Sequence, residues 1–234
     1  LNKKNPVTYY LILSATGAAL IILLSLSGYP NIKTIQMSDK LAIGVAFILS
    51  CMSGICVAIN PNLTKRSPKR GSHDRQLNQT ILRELRGHHP ECEQFKGHTI
   101  KIRNKILCPG CSGLAMGSVI SITLMSFYIV FLKEIPQAIL PFLIILGIVL
   151  ITFNYIEIVI PTRKTYLHLI SNIFLVISFL LIIIGIFHLT GSVIYGLSAV
   201  LISFLWLDTR IQLSNWHHSR VCKNCSETCK IFRA

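Results

Sequence analysis

Four side chains of ligand type fall at a metal-binding spacing: His89-x2-Cys92, then fifteen residues, then Cys108-x2-Cys111. A two-residue gap lets one tight turn present two ligands, and zinc takes four such ligands in a tetrahedron. Four protein ligands would make the zinc structural; three and a water would make it catalytic. His88 and His98 are competing imidazole ligands, so either count is open. A second group lies near the C-terminus, where His218 (with His217 beside it), Cys222, Cys225 and Cys229 offer three thiols and an imidazole. Such a run suits a second zinc, and an iron–sulfur cluster is a competing use of its cysteines. A third set is polar. Asn154 and Glu157 stand three residues apart, His168 and Asn172 four apart, and Asp208 follows later, each at the end of an apolar run. Polar groups in membrane spans make helix–helix hydrogen bonds or line a functional pocket.

The elements that must position these groups are membrane helices. The chain has 234 residues, a mean hydropathy of +0.59 and 14% charged residues. A soluble domain carries about 25% charged residues. Apolar runs cover 7–29, 41–60, 114–132, 136–160, 167–189 and 192–213. Each core is close to the ~20 residues that cross a bilayer. The first is too long for the apolar core of a signal peptide and reads as an uncleaved first span. Cys51 and Cys56, five residues apart in the second run, would diverge by about 140° on a helix and read as small buried side chains. The expected fold is an all-α bundle of six transmembrane helices. Its segments are helices 1–2 over 1–60, a basic loop with the metal module over 61–113, helices 3–6 over 114–213, and a Cys-rich tail over 214–234.

Charge sets the expected orientation. With the N-terminus inside, the inner segments hold twenty Lys and Arg and the outer segments three, namely Lys33, Lys40 and Lys133. That bias places both termini and every loop cysteine in the cytoplasm, where thiols stay reduced. Eleven of the basic residues lie in 61–107. Beside a bilayer they attract anionic lipid head groups; few aromatics and no base-reading helix pattern argue against nucleic acid. In the same loop, Leu77, Ile81, Leu82 and Leu85 form one stripe of a helix over 74–86, with Gly87 as its stop. Alternation in 99–102 and 105–107, around Arg103-Asn104, predicts a short hairpin leading into Cys108.

Cys108-Pro109-Gly110-Cys111-Ser112-Gly113 resembles the metal knuckle of rubredoxin and zinc-ribbon proteins. In that reading Pro109 pre-sets φ and the glycines allow tight backbone that turns N–H groups toward the sulfurs. With His89-Pro90-x-Cys92 upstream, and Leu114 and Gly117 following, about 30 residues resemble a group of small prokaryotic multi-pass membrane proteins, domain-of-unknown-function family 2085. The resemblance implies a membrane protein and no particular activity.

Short loops cannot build a core, so a bound metal would supply their folding energy. The leading expectation is a non-enzymatic membrane protein, its zinc stabilising a cytoplasmic surface that docks a protein partner or a second copy, or senses metal or redox state. A membrane thiol oxidoreductase using Cys108 and Cys111 is the first alternative. A transporter or lipid-modifying enzyme using the polar set is the second. No Gly-rich phosphate loop, His-Glu-x-x-His or Gly-x-Ser-x-Gly is present.

Overall fold

The computed structural model describes residues 6–27, 35–59, 100–102, 105–132, 134–160 and 164–223. Six long helices occur among the described residues: α1 (Pro6–Ser27), α2 (Met37–Ile59), α3 (Pro109–Phe131), α4 (Leu140–Val159), α5 (Thr165–Thr190) and α6 (Val193–Lys223). A hairpin of β1 (Ile100–Ile102) and β2 (Lys105–Leu107) precedes α3, and a short 3-10 turn precedes α4. Five helices, α2 to α6, are long and apolar enough to cross a membrane; the apolar part of α1, Thr8–Leu23, is shorter. The outward faces fit a lipid solvent, because large apolar side chains such as Leu23, Val130, Leu201 and Ile194 stand exposed around the bundle.

The central helix is α5, which packs on α3, α4 and α6. Its apolar residues run all round, so Leu175, Ile182, Ile183 and Ile186 are fully enclosed. Gly191 ends it in the left-handed region, φ 59°, donating its N–H to Phe187. In lipid, packing and hydrogen bonds rather than water exclusion hold helices together. At one end, Lys40 of α2 donates to the Leu132 carbonyl at 2.8 Å and lies over the Tyr128 ring, 5.3 Å from its centre. Tyr128 OH in turn meets His188 Nε2 at 2.7 Å. Lys40, one of the three outer charges in the sequence, and His188 thus tie α2, α3 and α5 together.

Helix α1 is fastened by bonds of very long range. Trp206 Nε1 donates to the Ser14 carbonyl at 3.1 Å, Tyr155 OH donates to the Trp206 carbonyl at 2.9 Å, and Ser14 Oγ is 3.1 Å from Tyr155 OH. Trp206→Phe removes the only donor of that side chain, while the Ser14 carbonyl keeps its place in the ladder of α1. The expected cost is about 0.5–1.5 kcal/mol, read as a lower unfolding midpoint in detergent.

Two helix limits differ from the apolar runs. Helix α3 begins at Pro109, ahead of the run that starts at Leu114. Helix α6 continues past 213 to Lys223. Both extensions lead away from the apolar stretch, where hydrogen bonding continues after hydrophobicity stops. The basic loop with its helix over 74–86 lies outside the described residues. The expected hairpin forms, pairing Ile100 with Leu107 and Ile102 with Lys105.

Candidate functional site

The Cys-Pro-Gly-Cys segment is the start of a helix rather than a loop turn. Cys108 is the N-cap of α3, with extended backbone at φ −78° and ψ 122°. Pro109 occupies the first turn, where its missing N–H costs nothing and its fixed φ suits a helix. The helical ladder opens with Ser112 N–H donating to the Cys108 carbonyl at 3.0 Å. This geometry places Cys111 within hydrogen-bond reach of Cys108. Neither cysteine is in a disulfide; Cys108 is buried and Cys111 half-buried.

The glycines of this segment correct the expectation of tight backbone conformations. Among the described residues only Gly191 has positive φ, so Gly110 and Gly113 are ordinary helical positions. Their missing side chains allow close approach instead. A Cβ at Gly113 would stand 2.5 Å from the Leu169 carbonyl oxygen and 2.8 Å from Asn172 Cβ. One turn on, a Cβ at Gly117 would stand 2.9 Å from the Ile173 carbonyl oxygen. Thus Gly113 and Gly117 form the small-residue face on which α3 meets α5. At Gly110 the space is taken by the guanidinium of Arg210 on α6, 2.6 Å from where a Cβ would be.

That arginine links the thiols to the polar set. Its charge interacts with Cys111, Cys108 and Glu157. Glu157 Oε1 meets His168 Nδ1 at 2.7 Å, a hydrogen bond that becomes an ion pair when the imidazole is protonated. Ser171 Oγ donates to Glu157 Oε2 at 3.2 Å, and Asn154 Nδ2 donates to Ser171 Oγ at 3.1 Å. So Asn154, Glu157 and His168, expected from sequence to share a pocket, do meet, joined through Ser171. Asn172 turns toward α3, its Nδ2 donating to the His168 carbonyl at 2.5 Å. Asp208 is exposed, with Gln212 donating to it at 3.4 Å.

A cavity of about 680 Å³ opens beside these groups, lined by Cys108, Cys111, His168, Asp208, Arg210 and, one and two turns further, Ser214, His217 and His218. His217 and His218 belong to α6, their rings 6.4 Å apart. Among the described residues no three His, Cys, Asp or Glu side chains are grouped to hold a metal. Of the first expected ligand set, Cys108 and Cys111 are brought together; His89 and Cys92, and the alternatives His88 and His98, lie outside the described residues. Of the second, His218 is buried in α6 and Cys222 lies four residues on in the same helix, while Cys225 and Cys229 lie outside.

Sequence reasoning did not single out Ser171 or Arg210, and named His217 only beside His218. The available signal for Arg210 and His217 was the spacing of Leu207, Arg210, Ser214 and His217, which keeps one helical face going beyond the apolar run. No protein-family model, no curated protein and no solved structure matches the chain. The site is therefore read from its own chemistry.

Proposed function

We propose that the chain is a six-span membrane protein of the family-2085-like group, with both termini cytoplasmic and a structural zinc site on its cytoplasmic face. In this reading Cys108 and Cys111 bind the metal with His89 and Cys92, and the stabilised surface docks a protein partner or a second copy, or senses metal or redox state. The observation that carries it is the pair of adjacent thiols at the first turn of α3, immediately after a hairpin. A hairpin followed by a helix is a common way for a small module to share one zinc between two ligand pairs. Zinc-bound thiolates would carry negative charge, and Arg210 beside both sulfurs would balance it. The twenty-to-three division of basic residues supports the cytoplasmic placement. A second zinc on His218, Cys222, Cys225 and Cys229 belongs to the same proposal.

One further reading has a specific observation in its favour. Two neighbouring cysteines, not in a disulfide, at a helix N-terminus also suit a thiol oxidoreductase. Metal content per chain, with an absorption spectrum, separates the two. One or two zinc ions and no visible bands are expected, with one zinc lost in Cys108→Ser. Metal-free protein with titratable thiols or a disulfide would replace the zinc reading with the oxidoreductase, and iron with charge-transfer bands would indicate electron transfer.

A further inference from the structure

The cavity changes character along its length. Its inner part, between α2 and α6, is lined by Phe47, Val57, Phe179, Val200 and Phe204. Its other end carries Arg210, His168, His217 and His218. From Val200 to Arg210 the lining on α6 spans about 15 Å at 1.5 Å per residue, one leaflet's share of a ~30 Å hydrocarbon core and far longer than a small anion.

The polar end is prepared for negative charge by two independent features. Arg210 Nε is enclosed and meets no acceptor among the described residues. Glu157 attracts the guanidinium while its oxygens also bond His168 and Ser171. Asp208, a carboxylate on the lining, is exposed and bonded to Gln212. The second feature is the start of α3, a 23-residue helix whose N-cap Cys108 makes no side-chain capping bond. Such an end leaves backbone N–H groups and the positive pole of the helix facing the cavity. Arg and a helix N-terminus together are a phosphate-binding pair.

We infer that this groove holds an anionic phospholipid, its phosphate between Arg210 and the first turn of α3 and one acyl chain along α2 and α6. The site adjoins the proposed zinc ligands and shares Arg210 with them, but the argument for the lipid does not rest on the metal. A ligand of this kind would be a fixed component of the bundle, filling the gap that the helices leave between α2 and α6.

Native mass spectrometry of the detergent-purified chain, titrated with phosphatidylglycerol, phosphatidylcholine or inorganic phosphate, tests the site. Phosphatidylglycerol should bind in preference to phosphatidylcholine, and Arg210→Gln should weaken it by about tenfold or more, the loss of one charge-assisted bond. Gly54→Leu plugs the apolar part without touching Arg210; a Cβ there meets only Ser118 Oγ, at 3.8 Å, and phosphatidylglycerol binding should be lost. Equal binding of the two lipids, or unchanged binding in Gly54→Leu, would overturn the inference. Inorganic phosphate displacing phosphatidylglycerol at equal concentration would assign the site to a free anion instead. Zinc measured on the same samples separates this site from the metal: lipid lost with zinc retained supports the groove, and an Arg210→Gln chain that fails to fold leaves Gly54→Leu to decide.

Discussion

His168→Leu is expected to lower the unfolding free energy of the purified chain by about 3–5 kcal/mol, the cost of stranding one member of a buried pair. Glu157 is 5% exposed, and its Oε1 loses a partner at 2.7 Å. Ser171 still donates to Oε2 and the Arg210 guanidinium still attracts the carboxylate, but the bond that ties α4 to the start of α5 through Oε1 is gone. The double variant Glu157→Leu with His168→Leu removes both polar groups, and should recover most of the lost stability because well-packed apolar replacements of a buried pair are often neutral. Denaturant unfolding in one fixed detergent, compared across wild type, single and double variants, gives the coupling directly. A double variant as unstable as the single one would mean that the pair is not the unit, and that Asn154 and Ser171 bear the cost.

Gly113→Ala is the second large effect. The added methyl would sit 2.5 Å from the Leu169 carbonyl oxygen and 2.8 Å from Asn172 Cβ. Backbone and Cβ atoms cannot swing aside like a side-chain tip, so α3 must move from α5. Overpacking of this kind costs about 1–3 kcal/mol, and Gly113→Leu should prevent recovery of folded protein. Displacing the first turn of α3 also moves Cys108 and Cys111 away from Arg210, so metal content should fall with stability. Gly54→Ala, whose Cβ has space, is the matched control and should change neither. A Gly113→Ala chain with wild-type stability and metal would show that α3 and α5 do not meet at this face.

The apolar helices were legible because a helix able to cross a bilayer must be apolar over its whole length, so composition alone marks it. Helix ends were less legible for the converse reason. Composition reports where lipid stops, whereas the helix follows its hydrogen bonds, and α6 goes on through His217 and His218 to Lys223 in polar sequence. The meeting of Glu157 with His168 could be anticipated from their matching depth in neighbouring spans. Ser171 could not, because serine in a membrane helix commonly bonds its own backbone, as Ser203 and Ser198 do here. Arg210 was visible only as one charge in a basic tail, since its role depends on how far α6 extends and on which face meets Gly110. The motif Cys-Pro-Gly-Cys-Ser-Gly drew attention to the right residues for partly the wrong reason. Its cysteines do meet, but its Gly113 serves helix packing.

The bonds that fasten α1 have a consequence for how the protein is made. Trp206 reaches Ser14 across 192 positions and Thr209 reaches Tyr10 across 199. At about 5–20 residues per second, a ribosome needs roughly 10–40 s to supply the second half of each contact. Through that interval the first helix waits without its final neighbour, while α2 to α5 are still being made. The bundle closes only with the last helix, so biosynthesis has a late, non-local step that truncation within α6 would leave permanently unfinished.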